Sequence, residues 1–217
     1  MEAFQADLVR GRKILIQAAE SLLPHQHADG SLPVDIEAAV GSPVTYGPAL
    51  ATYMARQTLE AADARRFREA IDKADRWLLK TPATSMLDAA TVAMAFEDRK
   101  HPEATTKRRQ CLDLMLRGQA SDGGWGPYAN SPSEPFDTAV VLLALESIKD
   151  RPDVARLIEQ GRSYLVQTQL EPGGWPETTR PPGGRSYAQH ISTTGWATLA
   201  LVKTRPSPSG RPNAERK

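Results

Sequence analysis

The side chains of this 217-residue sequence that could do chemistry fall in a few short stretches. Glu134 and Asp137 place two carboxylates around Glu134-Pro135-Phe136-Asp137-Thr138-Ala139, where an apolar run begins. An acidic side chain at the head of a helix accepts hydrogen bonds from the free backbone N–H groups of the first turn, so the residues alone favour Asp137 as a helix cap. His25-Gln26-His27-Ala28-Asp29 holds metal-ligand types, but residues two apart on a helix do not share a face, which argues against an ion there. Arg180 and Arg185 flank a Pro-Pro-Gly-Gly loop and could meet a phosphate or carboxylate, although a plain surface loop is the favoured account of them. The basic runs Arg65-Arg66-x-Arg68 and Lys107-Arg108-Arg109 read as solvated helix faces. No Asp-Asp-x-x-Asp cluster is present to hold magnesium and diphosphate. No metal and no cofactor is expected, and no nucleophile is named.

The elements that must position these groups are helices. Apolar residues make up 40% of the chain and charged residues 24%, and 27 basic residues nearly cancel 26 acidic ones. That balance lacks the basic footprint of a nucleic-acid binder. The single cysteine, Cys111, cannot make an internal disulfide, so a reducing compartment, the cytoplasm, is expected. Met1 to Arg12 carries acids and lacks the apolar run of a signal peptide, and no stretch is long and apolar enough for a transmembrane segment.

The strongest pattern is internal repetition. Leu114-Met115-x3-Gln119-x3-Gly123-Gly124-Trp125 and Tyr164-Leu165-x3-Gln169-x3-Gly173-Gly174-Trp175 share every offset. A weaker copy, Leu22-x3-Gln26-x2-Asp29-Gly30-Ser31-Leu32, keeps the Gln and one Gly. A fourth, Ala74-x2-Trp77-Leu78-x3-Pro82, keeps only the helix. The residue eight before the Gln site is small in all of them: Ala18, Ala74, Cys111 and Gly161. A small side chain there would let a neighbouring helix approach closely. Helical periodicity over Leu8–Leu23, Phe67–Leu79, Cys111–Leu116 and Val154–Val166 alternates with charge-poor helices over Tyr46–Leu59, Leu87–Phe96, Asp137–Ile148 and Ser192–Val202. The charge-poor set should form an inner layer and the first set an outer one.

The Gln-x3-Gly-x-Trp endings at Gln119–Trp125 and Gln169–Trp175 resemble the QW motif of squalene–hopene cyclases and their relatives. The resemblance covers about residues 8–203 and is strongest from 111 onward. It implies an all-α fold, an α/α-toroid in the form of a partial barrel or crescent. About four helical hairpins are expected, near 7–60, 67–97, 104–149 and 153–203, as one domain over 1–203, with a disordered tail over 204–217. Gln119, Gly123, Trp125, Gln169, Gly173 and Trp175 are assigned to stability. Asp122 or Pro172 and the Gly pair would turn the chain, the Gln amide would meet orphan helix-end groups, and the Trp ring would pack on the next hairpin.

The same resemblance tests for chemistry. Squalene–hopene cyclases use the middle Asp of an Asp-x-Asp-Asp-Thr-Ala motif as proton donor. Glu134, Asp137, Thr138 and Ala139 match its frame, while Phe136 stands at the donor position. Protein prenyltransferases, which share the toroid, need Asp, Cys and His around zinc. His190 lies near the corresponding position, but Ala139 stands where the Cys is required. Aromatics at 6% are also few for a carbocation pocket. The resemblance therefore implies a non-catalytic binder of a protein partner or a hydrophobic, isoprenoid-like small molecule. Its concave face would be formed by Tyr46, Asp88, Phe136, Asp137, His190 and Trp196. The alternative is a reduced class II cyclase using Asp137 or Glu134 as the acid, as a homodimer or with a partner subunit. A third reading places His190 and Asp137 in another kind of enzyme on the same toroid.

Overall fold

The computed structural model describes residues 11–34, 47–97, 101–178 and 186–206. Among them are eight α-helices and no strand: α1 (Arg12–Leu22), α2 (Gly47–Asp63), α3 (Arg68–Lys80), α4 (Met86–Ala95), α5 (Pro102–Arg117), α6 (Pro135–Leu145), α7 (Pro152–Gln167) and α8 (Tyr187–Lys203). None is long and apolar enough to cross a membrane. Helices α2, α4, α6 and α8 pack against one another in that order. Helices α1 and α3 lie on α2, α5 lies on α4, and α7 lies on α6. This is the layered arrangement of an α/α-toroid.

Charge decides the layer. The sequence of α6, PFDTAVVLLAL, carries no charge after Asp137, so every face can be covered, and only Leu143 of its residues is not buried. Helix α4 behaves alike, with Met86, Leu87, Ala89, Ala90, Val92, Ala93 and Ala95 inside. The outer helix α3, REAIDKADRWLLK, has instead one apolar stripe of Ala70, Ile71, Ala74 and Leu78. Two apolar clusters result. The larger runs from Leu50 of α2 and Leu78 of α3 through α8 and includes Trp125, Phe136 and Trp175; the smaller holds Leu15, Ala19, Leu59, Phe67 and Ile71 between α1, α2 and α3.

Prolines set several helix starts and move two of them from the expected positions. Pro102, Pro135 and Pro152 each begin a helix, where a fixed φ helps and the missing N–H costs nothing. Helix α5 therefore starts well before Cys111. Pro135 likewise moves the cap of α6 to Glu134, whose side chain makes no capping bond, and Asp137 becomes the third residue of the helix. The reading of Asp137 as the cap is corrected accordingly. A side-chain cap is found at α4, where Ser85 Oγ accepts from the Asp88 N–H at 3.0 Å and donates to Asp88 Oδ2 at 2.7 Å.

One loop recurs three times after the outer helices. The glycines Gly30, Gly123 and Gly173 have φ of +101°, +87° and +91°, a region that side chains resist. Each donates its N–H three residues back, to His27, Ala120 or Leu170. The backbone N–H of Leu32, Trp125 and Trp175 donates to a threonine hydroxyl on the following inner helix: Thr52 at 2.9 Å, Thr138 at 2.9 Å and Thr194 at 3.1 Å. The Gln amide does not cap the helix end as expected. It donates to the turn glycine's carbonyl and, in two copies, reaches across to the next outer helix. Gln26 meets Gly30 O and Ala70 O, and Gln119 meets Gly123 O and Leu157 O. The helix-end carbonyls are taken by the indole N–H instead, Trp125 to Met115 O at 2.8 Å and Trp175 to Leu165 O at 2.7 Å.

The small residues noted in the sequence acquire a reason here. A Cβ on Gly161 of α7 would lie 2.7 Å from the Trp125 ring and 3.0 Å from Leu142, so α7 seats on α6 only because that position is bare. Gln169 lies on the last loop, is exposed, and bonds only to Gly173 among the described residues. Gln119→Ala is therefore expected to lower unfolding stability by about 1–3 kcal/mol, because two carbonyls lose a partner. Gln169→Ala should change it by about 0.5 kcal/mol or less. Denaturant titration of the two variants side by side checks the difference.

Candidate functional site

The four inner helices enclose a hollow of about 200 Å³ near their C-terminal ends. Helix α2 contributes Tyr53, Met54 and Gln57; α6 contributes Leu143, with Glu146 just beyond its end; and α8 contributes Trp196, Leu199 and Lys203. Met94 of α4 and Glu97 beyond it complete the wall. The apolar members sit inside the helices, while the charged ones, Glu97, Glu146 and Lys203, come where α4, α6 and α8 run out. Gln57 is held by the Tyr53 hydroxyl at 2.9 Å and by Arg56, which is buried. Arg56 in turn donates to Asp75 Oδ1 of α3 at 2.9 Å and pairs with Glu60. Burial works against its charge, but Asp75 and Glu60 outweigh that and hold the guanidinium firmly protonated. Lys149 pairs with Glu146 at 2.7 Å. Trp196 is oriented by Phe136, whose ring meets it edge-on with centroids 6.2 Å apart.

Most of the residues singled out in the sequence do not line this hollow. Trp196 alone of the expected concave set lines the hollow. Phe136 is fully buried behind it, and Asp137 is fully buried at the opposite end of α6 from Leu143 and Glu146. Glu134 is buried as well, its N–H bonded to Trp125 O at 2.9 Å. Asp88 is occupied with Ser85 and lines a separate hollow between Ala49 of α2 and Trp77 of α3. His190 packs over the backbone of Gly174, where an added Cβ would sit 2.7 Å from its Nε2. Tyr46, Arg180 and Arg185 lie outside the described residues. His25 and His27 are both exposed, and Asp29 next to them accepts from the N–H and hydroxyl of Ser31. Arg65, Arg66 and Arg68 are exposed as expected, but Arg108 is half-buried and bonds Ser147 Oγ at 2.9 Å. No three His, Cys, Asp or Glu side chains gather for a metal among the described residues.

Tyr53, Met54, Gln57, Met94 and Leu143 were not singled out from sequence. The one signal pointing to that end is that three of the four charge-poor helices acquire a charged residue there, at Glu97, Glu146 and Lys203.

No family model matches the chain. A lanosterol synthase of Saccharomyces cerevisiae is 22% identical over 134 residues, covering 58% of this chain and 18% of the relative. A drimenyl diphosphate synthase of Streptomyces showdoensis is 24% identical over 222 residues, covering 93% and 40%. Another drimenyl diphosphate synthase, from Streptantibioticus cattleyicolor, is 31% identical over 83 residues, covering 38% and 15%. The chain thus spans 40% or less of the length of these relatives. The likenesses point to the terpenoid cyclase family.

Two buried acids give the fold a pH signature. Burial pushes the Cys111 thiol from its ordinary 9.0 up to about 11. Burial, helped by Asp122, Glu134 and Asp137, pushes the Tyr164 phenol from 10.0 up to about 12, and its hydroxyl donates to Ser133 O at 2.8 Å. With folded values above unfolded ones, the unfolded chain sheds protons first as pH rises. Stability should be flat in these groups below pH 9, then fall between about 9 and 12. Denaturant midpoints across that range check it, and Tyr164→Phe should flatten the upper part.

Proposed function

We propose that residues 1–203 form a terpenoid cyclase-like domain of four hairpins, near 7–60, 67–97, 104–149 and 153–203, with the QW motif as its repeat. In this reading it binds a hydrophobic ligand without converting it. A cytoplasmic setting accords with the lone buried thiol. The observation that carries the reading is the separation of acid from cavity. Glu134 and Asp137 lie buried at the head of α6, Phe136 stands at the donor position, and the hollow lies at the other end of the helix. Protonating an alkene needs an acid in hydrogen-bond reach of the reacting carbon, and the walls of this hollow supply Glu97 and Glu146 only at its rim. Its size also matters. About 200 Å³ is below the roughly 300–1,000 Å³ of common ligand sites, so it suits one end of an isoprenoid-like chain. Tyr53, Met54, Met94, Leu143 and Trp196 offer that chain an apolar and aromatic lining.

The second reading, a reduced cyclase with Asp137 or Glu134 as its acid, is favoured by one observation: the relatives in hand are themselves named as synthases. One experiment separates the two. Linear C10 to C20 isoprenoid alcohols and diphosphates are added, binding is followed by native mass spectrometry, and products by gas chromatography. The expected result is a bound adduct and no cyclised product. Leu143→Trp, which fills the hollow, should weaken binding by about tenfold or more. Asp137→Asn should leave binding unchanged. A cyclised product that disappears in Asp137→Asn would replace the binding role with the enzymatic one.

A further inference from the structure

The loops built on Gly30 and Gly123 define a docking rule, and the two ends of the helix array are the two halves of it. In each case the next outer helix sits on the loop in one register. Gln26 donates to Ala70 O, a Cβ on Gly30 would strike Lys73 O, and Ala74 is fully buried. Gln119 donates to Leu157 O, a Cβ on Gly123 would strike Gln160 O, and Gly161 rests on Trp125 and Leu142. The incoming helix therefore presents an acceptor carbonyl, a close backbone three residues on, and a small residue one further.

The loop built on Gly173 offers the same seat with no helix on it among the described residues. Gly30 and Gly123 are buried, whereas Gly173 is exposed and its Cβ direction is open for 4 Å. Gln169 is exposed, and Leu170 and Val166 beside it are 43% and 59% exposed. The adjoining face of α8 is bare in the same way. Superposing the two loops through Thr138 and Thr194 matches Pro135, Ala139 and Leu142 of α6, all buried, to Ile191, Gly195 and Thr198 of α8, all exposed. At the other end of the array, α1 has the incoming pattern and, among the described residues, no loop beneath it. Ile14, Gln17 and Ala18 occupy the positions of Leu157, Gln160 and Gly161, and all three are exposed, while Leu15 and Ala19 face α2. Charge agrees as well: α1 opens with exposed Arg12 and Lys13, and the vacant loop carries exposed Glu171.

We infer that the chain associates head to tail with a second copy of itself, α1 of one copy seating on the Gln169–Trp175 loop and α8 of the next. Ile14 O accepts from Gln169 Nε2, Gln17 passes over Gly173, and Ala18 rests against Thr198. Such an interface joins unlike surfaces, so it gives a closed ring if the rotation closes and a chain of copies if it does not. The inference is independent of the ligand reading, since none of these residues lines the hollow.

The test uses two exposed substitutions in the full chain, Ala18→Arg on the ridge and Thr198→Arg on the seat, with circular dichroism and melting to show that each monomer is intact. Light scattering on the unsubstituted protein should give at least twice the 23.7 kDa of one chain. Each variant alone should be monomeric. An equimolar mixture should form a 1:1 dimer and nothing larger, because one good ridge and one good seat remain. A protein that stays monomeric up to about 1 mM, variants that still self-associate, or a mixture that does not dimerise would each overturn the inference.

Discussion

The close approach of the outer helices α3 and α7 to the glycine turn before each is the constraint on which the rest of the fold depends. At Gly30 and Gly123 the backbone of the next outer helix occupies the space a side chain would need. The turn must therefore be glycine twice over, once for its positive φ and once for the helix seated on it. That contact lets Gln26 and Gln119 bridge two units with one amide. It also brings Gly161 down onto Trp125, so the indole packs across the join while its N–H closes the helix behind it. Remove the approach and the amide, the ring and the small residue lose their common purpose.

From this contact the layering follows. Every outer helix fixed on the preceding loop shields an inner helix, which can then dispense with charge. Helix α6 is the extreme case, covered by α4, α7 and α8 in turn. The cost of such enclosure falls on its polar groups. Thr138 is fully buried and is satisfied by both the N–H and the carbonyl of Trp125, as buried polar groups require. Asp137 and Glu134 are drawn into the same enclosed region and are buried there. The hollow forms at the other end, where the inner helices run out and their side chains no longer meet at the centre.

The relatives put this arrangement in proportion. They are longer chains, and this one corresponds to a fraction of each. A repeat array gains stability from each junction, and its ends carry half-junctions. The exposed Gln169, Gly173 and Ile191 at one end and Ile14 and Ala18 at the other are those halves.

The sequence by itself determined the helices, their two classes and the units they form. Those depend on local spacing, charge content and turn residues, and the repeated Gln, Gly and Trp offsets fixed the phase from one unit to the next. It also determined that position 161 must be small, although not what it touches. The tertiary structure alone decided which side chains share a space. Tyr53, Met54, Met94, Leu143 and Trp196 come from four helices and meet only because α2, α4, α6 and α8 converge. Asp88, Asp137 and His190, expected on one concave face, each lie near the head of a different inner helix. There the local partner decides each one's surroundings: Ser85 for Asp88, complete burial for Asp137 and the bare Gly174 backbone for His190. Periodicity reports which way a residue faces on its own helix. It carries no information on the distance to a residue on another helix, and a site is made of such distances.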